Sequence, residues 1–107
     1  MTQFNKREKA FENKFKTDQE LAFKVQARRN KLLGLWAAGL MGVDDASAEI
    51  YAKDVVVSDF EKPGDDDVLQ KVLADLTGKG VDTSEHLVRV EMDKLMDVAR
   101  KQLMEED

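Results

Sequence analysis

Few side chains in this sequence are equipped for covalent chemistry, and their spacing sets none of them up for it. The single histidine, His86, falls in the first turn of an expected helix. General-base work needs a nucleophile or a substrate pocket beside the imidazole, so His86 reads as a capping or partly exposed surface residue. The three serines, Ser47, Ser58 and Ser84, stand outside any G-x-S-x-G elbow. No cysteine is present, which removes disulfides, thiolate nucleophiles and cysteine-based zinc sites together. Asp65, Asp66 and Asp67 are adjacent, whereas a calcium loop alternates its acids before a glycine and a distal glutamate. Negative charge at the start of a helix accounts for them better. Gly78-Lys79-Gly80 lacks the upstream glycine and the following Ser/Thr of a phosphate loop. The expectation is a protein with no catalytic residue, no metal and no cofactor, which works by binding another protein.

The binding chemistry is concentrated at the N-terminus. Residues 1–17 contain no Leu, Ile or Val, and beyond Met1 their large apolar groups are Phe4, Phe11 and Phe15. On a helix these three fall within an arc of about 40°. Glu12 and Lys16 form a favourable i,i+4 pair, but Glu8 and Glu12 repel. Such a helix is marginal alone in water. The segment is expected to fray when free and to become helical when a partner covers the stripe. Packing of the stripe onto the protein's own bundle is the other reading. An anchor pattern at i, i+7 and i+11 fits a peptide that docks in a partner's groove.

Charge is divided along the chain as well. Residues 1–31 hold nine Lys or Arg against four Asp or Glu, a net of +5, and residues 32–107 carry −10, so that the 107-residue chain totals −5. A basic arm on an acidic body suggests separate tasks. A nucleic-acid adapter is the poorer fit, because acids interrupt the arm and the body repels phosphates.

The elements that must position the arm are helices. One proline, Pro63, punctuates the whole chain, and 42% of residues are hydrophobic against 36% charged. Thr17-Asp18-Gln19-Glu20 has capping-box spacing, so a first bundle helix is expected over about 18–41. Its end, residues 32–41, is apolar almost all round and reads as the centre of the core. Gly39 inside it costs about 1 kcal/mol relative to alanine. Asp44 or Asp45 caps a second helix over about 45–61, with Ala46, Ile50, Val56 or Val57 and Phe60 as its expected buried side. Asp65 is expected to cap a third over about 65–77, with a stripe of Val68, Leu69, Val72, Leu73 and Leu76, ended by Gly78 and Gly80. Thr83 or Ser84 caps a fourth over about 84–104, with Val88, Met92, Leu95, Met96, Ala99 and Leu103 on one face. The fold class is all-α: a four-helix bundle over 18–107 with a flexible basic arm over 1–17. Residues 1–16 lack the apolar core of a secretory signal, and the 32–41 run is about half the roughly 20 residues a bilayer requires. A soluble protein without direct membrane insertion is expected.

Arg7 to Phe15 (REKAFENKF), then Gln19 to Gly42 (QELAFKVQARRNKLLGLWAAGLMG), resemble the zeta subunit family of alpha-proteobacterial ATP synthases. Tyr51 to Phe60 (YAKDVVVSDF) and Asp65 to Asp75 (DDDVLQKVLAD) resemble it too. The resemblance spans nearly the whole chain. It implies a four-helix bundle carrying an inhibitory N-terminus that becomes helical and wedges into a catalytic interface near the rotary shaft, stopping ATP hydrolysis. The implied partner is the ATP synthase catalytic sector, with its alpha, beta and gamma subunits. The implied location is cytoplasmic, peripheral to the inner membrane through that partner. The implied contact residues are Phe4, Arg7, Phe11, Glu12, Lys14 and Phe15 in the arm, with Arg28, Arg29, Asn30 and Lys31 at the basic end of the first bundle helix. The alternative is a helical-bundle sensor of a small ligand such as a nucleotide, or a protein adapter without inhibitory activity.

Overall fold

The computed structural model describes the backbone of residues 2–106 and the side chains of residues 18–106. Four helices follow one another: α1 (Thr2–Met41), α2 (Asp45–Glu61), α3 (Asp65–Gly78) and α4 (Glu85–Glu106). Helix α1 packs against all three others, with α2 and α4 on either side of it, and α3 joins α2 to α4. The chain is all-α, a four-helix bundle, as its apolar periodicity predicts.

Each boundary has a local cause. Helix α1 ends in a Schellman motif: Gly42 turns left-handed (φ 73), its N–H reaches Gly39 O at 3.2 Å, and Val43 N–H reaches Ala38 O at 3.4 Å. Helix α3 ends the same way at Gly80 (φ 77), with Gly80 N–H on Thr77 O and Val81 N–H on Leu76 O, both at 3.0 Å. Gly78 is thus the last helical residue and Gly80 alone makes the turn. Asp44 caps α2 by accepting from Ser47 N–H at 2.7 Å, which holds its carboxyl below the usual aspartate range. Ser84 caps α4 by accepting from Leu87 N–H at 3.2 Å.

One expected cap is corrected. Gly64 (φ 142), not Asp65, precedes α3, and no side chain caps it. Asp65 occupies the first helical position and turns its carboxylate toward α1 instead.

The core lies where stripes of all four helices meet. Leu33, Ala37, Val55, Val68, Leu69, Val72, Leu76, Val88 and Met92 are buried in one cluster, with Trp36, Leu73 and Leu95 packed against it. Helix α2 contributes a different face from the expected one. Ala52 and Val55 are buried, while Ile50, Val57 and Phe60 are 72%, 48% and 68% exposed and Ala46 is exposed too. The reason lies opposite α2. A Cβ placed on Gly34 of α1 would meet the Ala52 Cα at 2.5 Å, so the two backbones touch where only small residues fit. That crossing selects the face carrying Ala52 and Val55, and Ile50, Val57 and Phe60 are turned outward.

Candidate protein-interaction site

Of the four bundle residues that the resemblance implies in contact, two are interior. Arg29 is 2% exposed and Asn30 is 1% exposed. Position 29 continues the i, i+4 row of Val25 and Leu33, so its burial follows from helical geometry. A buried guanidinium must be paired, and the pairing ties three helices together. Arg29 Nη2 donates to Asp65 Oδ1 at 2.8 Å at the start of α3. Its Nε donates to Asn30 Oδ1 at 2.9 Å. Asn30 Nδ2 donates onward to Asp59 Oδ2 at 2.8 Å near the end of α2. Gln26 adds a hydrogen bond to Asp65 Oδ1 at 3.2 Å. Arg29 holds the Asp65 carboxyl below its ordinary range, the partial burial of the carboxylate opposing this, with Gln26 helping. This seam locks the α2–α3 corner onto α1.

The other two residues face outward. Arg28 is half-buried and reaches α4, donating to Gln102 Oε1 at 2.9 Å and Glu106 Oε1 at 2.8 Å. Lys31 is exposed. Lys24, Arg28 and Lys31 border a depression of about 610 Å³ on the outer side of α1, which also touches Phe23 and Val56. A second depression, about 600 Å³, adjoins Phe23, Val56 and Phe60. Phe23 and Phe60 meet edge to face, ring centroids 5.5 Å apart, yet stay 56% and 68% exposed.

A third polar group lies at the α2–α3 contact. Tyr51 Oη donates to Asp75 Oδ2 at 2.8 Å. Lys71 Nζ bridges Asp54 at 2.8 Å and Asp75 at 3.2 Å while standing 5.6 Å from the centre of the Tyr51 ring. Burial and the Asp75 hydrogen bond push the Tyr51 phenol far above its usual range. Burial works against the Lys71 charge, but the two carboxylates outweigh it and its pKa is raised. Every group in this cluster is engaged by another, which describes a structural clamp. No nucleophile stands beside a base in it.

Among the described residues no group of His, Cys, Asp or Glu side chains could hold a metal ion, and no buried side-chain polar atom lacks a partner. His86 is exposed. No helix of the described residues is long and apolar enough to cross a membrane. Sequence reasoning missed the structural roles of Gln26, Asp59 and Asp65. Only the Val25–Arg29–Leu33 register hinted that a polar seam would form. The side chains of Phe4, Arg7, Phe11, Glu12, Lys14 and Phe15 lie outside the described residues. The helix start expected at Thr17 is corrected, because the backbone of α1 runs helical through that position and leaves no N-terminus to cap there.

Comparison with known proteins agrees with this architecture. A solved chain described as a solution NMR structure of a protein is 49% identical and superposes with a TM-score of 0.70, covering 79% of this chain and 96% of that one. No curated protein matches the chain. The family model for ATPase inhibitor subunit zeta matches residues 1–102, arm and bundle alike. On that match, the chain belongs to the ATPase inhibitor subunit zeta family.

Proposed function

We propose that this protein is a regulatory subunit that binds the ATP synthase catalytic sector and stops it from hydrolysing ATP, with residues 1–17 as the inhibitory element and the bundle as their mount. The observation that carries the reading is the family match, which runs from residue 1 through the arm and across all four helices. The composition of the arm supports it. The basic residues steer the arm toward an acidic surface, and Phe4, Phe11 and Phe15 supply aromatic anchors of the hot-spot kind. Arg7, Glu12 and Lys14 stand beside them in sequence to set register. The contact surfaces are those of the alpha, beta and gamma subunits at a catalytic interface. Lys31 and the outward side of Arg28 extend the contact, while Arg29 and Asn30 hold the helix that presents it. The protein is a binder and carries out no reaction of its own.

The test is ATP hydrolysis by the catalytic sector with the full-length protein, with a form lacking residues 1–16, and with Phe11→Asp combined with Phe15→Asp. Full-length protein inhibits. Both altered forms lose inhibition while keeping the wild-type thermal unfolding transition. Full inhibition by the double variant would remove the aromatic anchors from the mechanism.

A further inference from the structure

Helix α1 runs unbroken from Thr2 to Met41, so whatever fixes its axis where it leaves the bundle also aims the residues before that point. Residues 18–24 are all exposed, and Val25 is the first buried one among the described residues. The central core cluster takes none of the described α1 residues before Leu33. Between Val25 and Leu33 the helix is gripped by polar side chains on two sides. Toward α2 and α3, Gln26, Arg29 and Asn30 engage Asp59 and Asp65. Toward α4, Arg28 donates through Nη1 to Gln102 Oε1 at 2.9 Å and through Nη2 to Glu106 Oε1 at 2.8 Å. Among the described residues no other side-chain hydrogen bond or ion pair joins α1 to α4.

The two grips differ in kind. Arg29 lies in the interior, whereas the side chains of Arg28 and Glu106 are 27% and 55% exposed. The apolar packing around the Arg28 bridge is also open. A depression of about 420 Å³ lies between Leu21, Ala22 and Val25 of α1 and Met96 and Met104 of α4. The depression of about 610 Å³ borders the same two helices at Leu21, Lys24, Leu103 and Glu106. Where side chains do not interlock, packing fixes the angle between two helices poorly, and directional charge-assisted hydrogen bonds take over. Gln102 and Glu106 stand one turn apart on α4, so the guanidinium fork holds that helix at two points along its axis. The lever is long. Phe11 is seventeen residues before Arg28, about 25 Å along a helix axis, so a tilt of about 10° at Arg28 moves the axis there by about 4 Å.

We propose that Arg28 is a positioning residue for inhibition, resting on the inhibitory reading above. Its bridge to Gln102 and Glu106 ties the root of the arm to the end of α4 and sets the direction in which the arm meets the catalytic sector. A root held at one angle is ordered before binding, and the ordering cost thereby avoided appears as affinity. The extent of inhibition at saturation belongs to the arm and is independent of the bridge.

The experiment compares full-length wild type with Gln102→Ala plus Glu106→Ala, with Arg28→Ala, and with all three changes together. The amount of protein needed for half-maximal inhibition of hydrolysis by the catalytic sector is read for each. The chain has no cysteine, so Asp18→Cys and Gln70→Cys, both at exposed positions, carry spin labels on the arm root and on α3. Pulsed electron paramagnetic resonance then gives the distance distribution between them without any partner. Loss of the two α4 groups broadens that distribution and raises the half-maximal amount about threefold to fivefold. Maximal inhibition and the thermal unfolding transition stay in place. In the Arg28→Ala background the same two substitutions add nothing further, since they act through Arg28.

An unchanged distance distribution overturns the bridge as a positioning device. A broadened distribution with an unchanged half-maximal amount also overturns the proposal, because the direction of the arm then has no bearing on inhibition. An undiminished loss in the Arg28→Ala background overturns it in favour of direct contact between the end of α4 and the partner. Inhibition lost in step with a lowered unfolding transition marks a purely structural contact and overturns it as well. Full inhibition by the form lacking residues 1–16 overturns the inhibitory reading of the arm itself, a failure distinct from these because it leaves the distance distributions as they are.

Discussion

Gly34 and Ala52 bring the backbones of α1 and α2 into contact: a methyl on Gly34 would sit 2.5 Å from the Ala52 Cα. Gly39, five residues along the same helix, has nothing within 4 Å of the same construction. The two glycines therefore respond oppositely to alanine. Gly39→Ala stabilises the bundle by up to about 1 kcal/mol through helix propensity. Gly34→Ala gains the same propensity but must force the helices apart, for a net loss of about 1–3 kcal/mol. Urea unfolding midpoints measured on both variants check the sign of each.

Asp65 and Asp66 are neighbours in the first turn of α3 with unequal structural duties. Asp65 receives the buried Arg29 at 2.8 Å, whereas Asp66 meets the half-exposed Arg89 at 3.2 Å. Asp65→Ala strands a buried guanidinium and costs about 1–2 kcal/mol, an amount reduced because the carboxylate itself is half-exposed. Asp66→Ala costs no more than a few tenths of a kcal/mol. Chemical denaturation of the two variants side by side separates them.

The Asp65 pair also makes stability acid-sensitive. Its folded-state pKa is lowered, chiefly by Arg29, so the pair contributes fully above the unfolded value of 3.8 and is lost as pH falls through the lower folded value. The stability gap between wild type and Asp65→Asn is expected to close as pH drops from neutral to about 2. A gap that holds constant would show that ionisation of Asp65 contributes nothing.

Tyr51 is the one tyrosine in the chain, which makes its ionisation directly readable. Burial first, then the hydrogen bond to Asp75, raises its pKa far above the ordinary 10.0. A raised folded value means stability present below 10.0 and lost as pH climbs beyond it. Lys71 acts with the same sign from its ordinary 10.5 upward, since its pKa is raised as well. Ultraviolet titration should therefore show no tyrosinate near pH 10 and then a steep rise that coincides with loss of helical circular dichroism.

Removing the Tyr51 hydroxyl tests the clamp itself. Tyr51→Phe keeps the ring under Lys71 and gives up the 2.8 Å hydrogen bond to Asp75, at a cost of about 0.5–1.5 kcal/mol. The alkaline unfolding midpoint of that variant should move upward, because the remaining titrating group is Lys71.

What the sequence determined by itself was local and periodic. The α3 row of Val68, Leu69, Val72 and Leu76 and the α4 row of Val88, Met92 and Ala99 were legible because each follows a single helical stripe. Asp44 and Ser84 were legible as caps, each as one of two neighbouring candidates, because a side chain needs to reach only three residues along its own helix. The charge split and the Phe4, Phe11, Phe15 spacing needed no fold at all. What only tertiary structure decided was which face of α2 turns inward and which cations are spent inside. Ile50, Val57 and Phe60 outrank Ala52 in hydrophobicity, yet Ala52 is buried because Gly34 leaves room for nothing larger. Arg29 and Lys31 read alike in a basic run, yet one is held at 2% exposure by Asp65 from the start of α3 and the other faces solvent. Both outcomes depend on partners supplied by another helix, and a side chain's own periodicity carries no record of what packs against it.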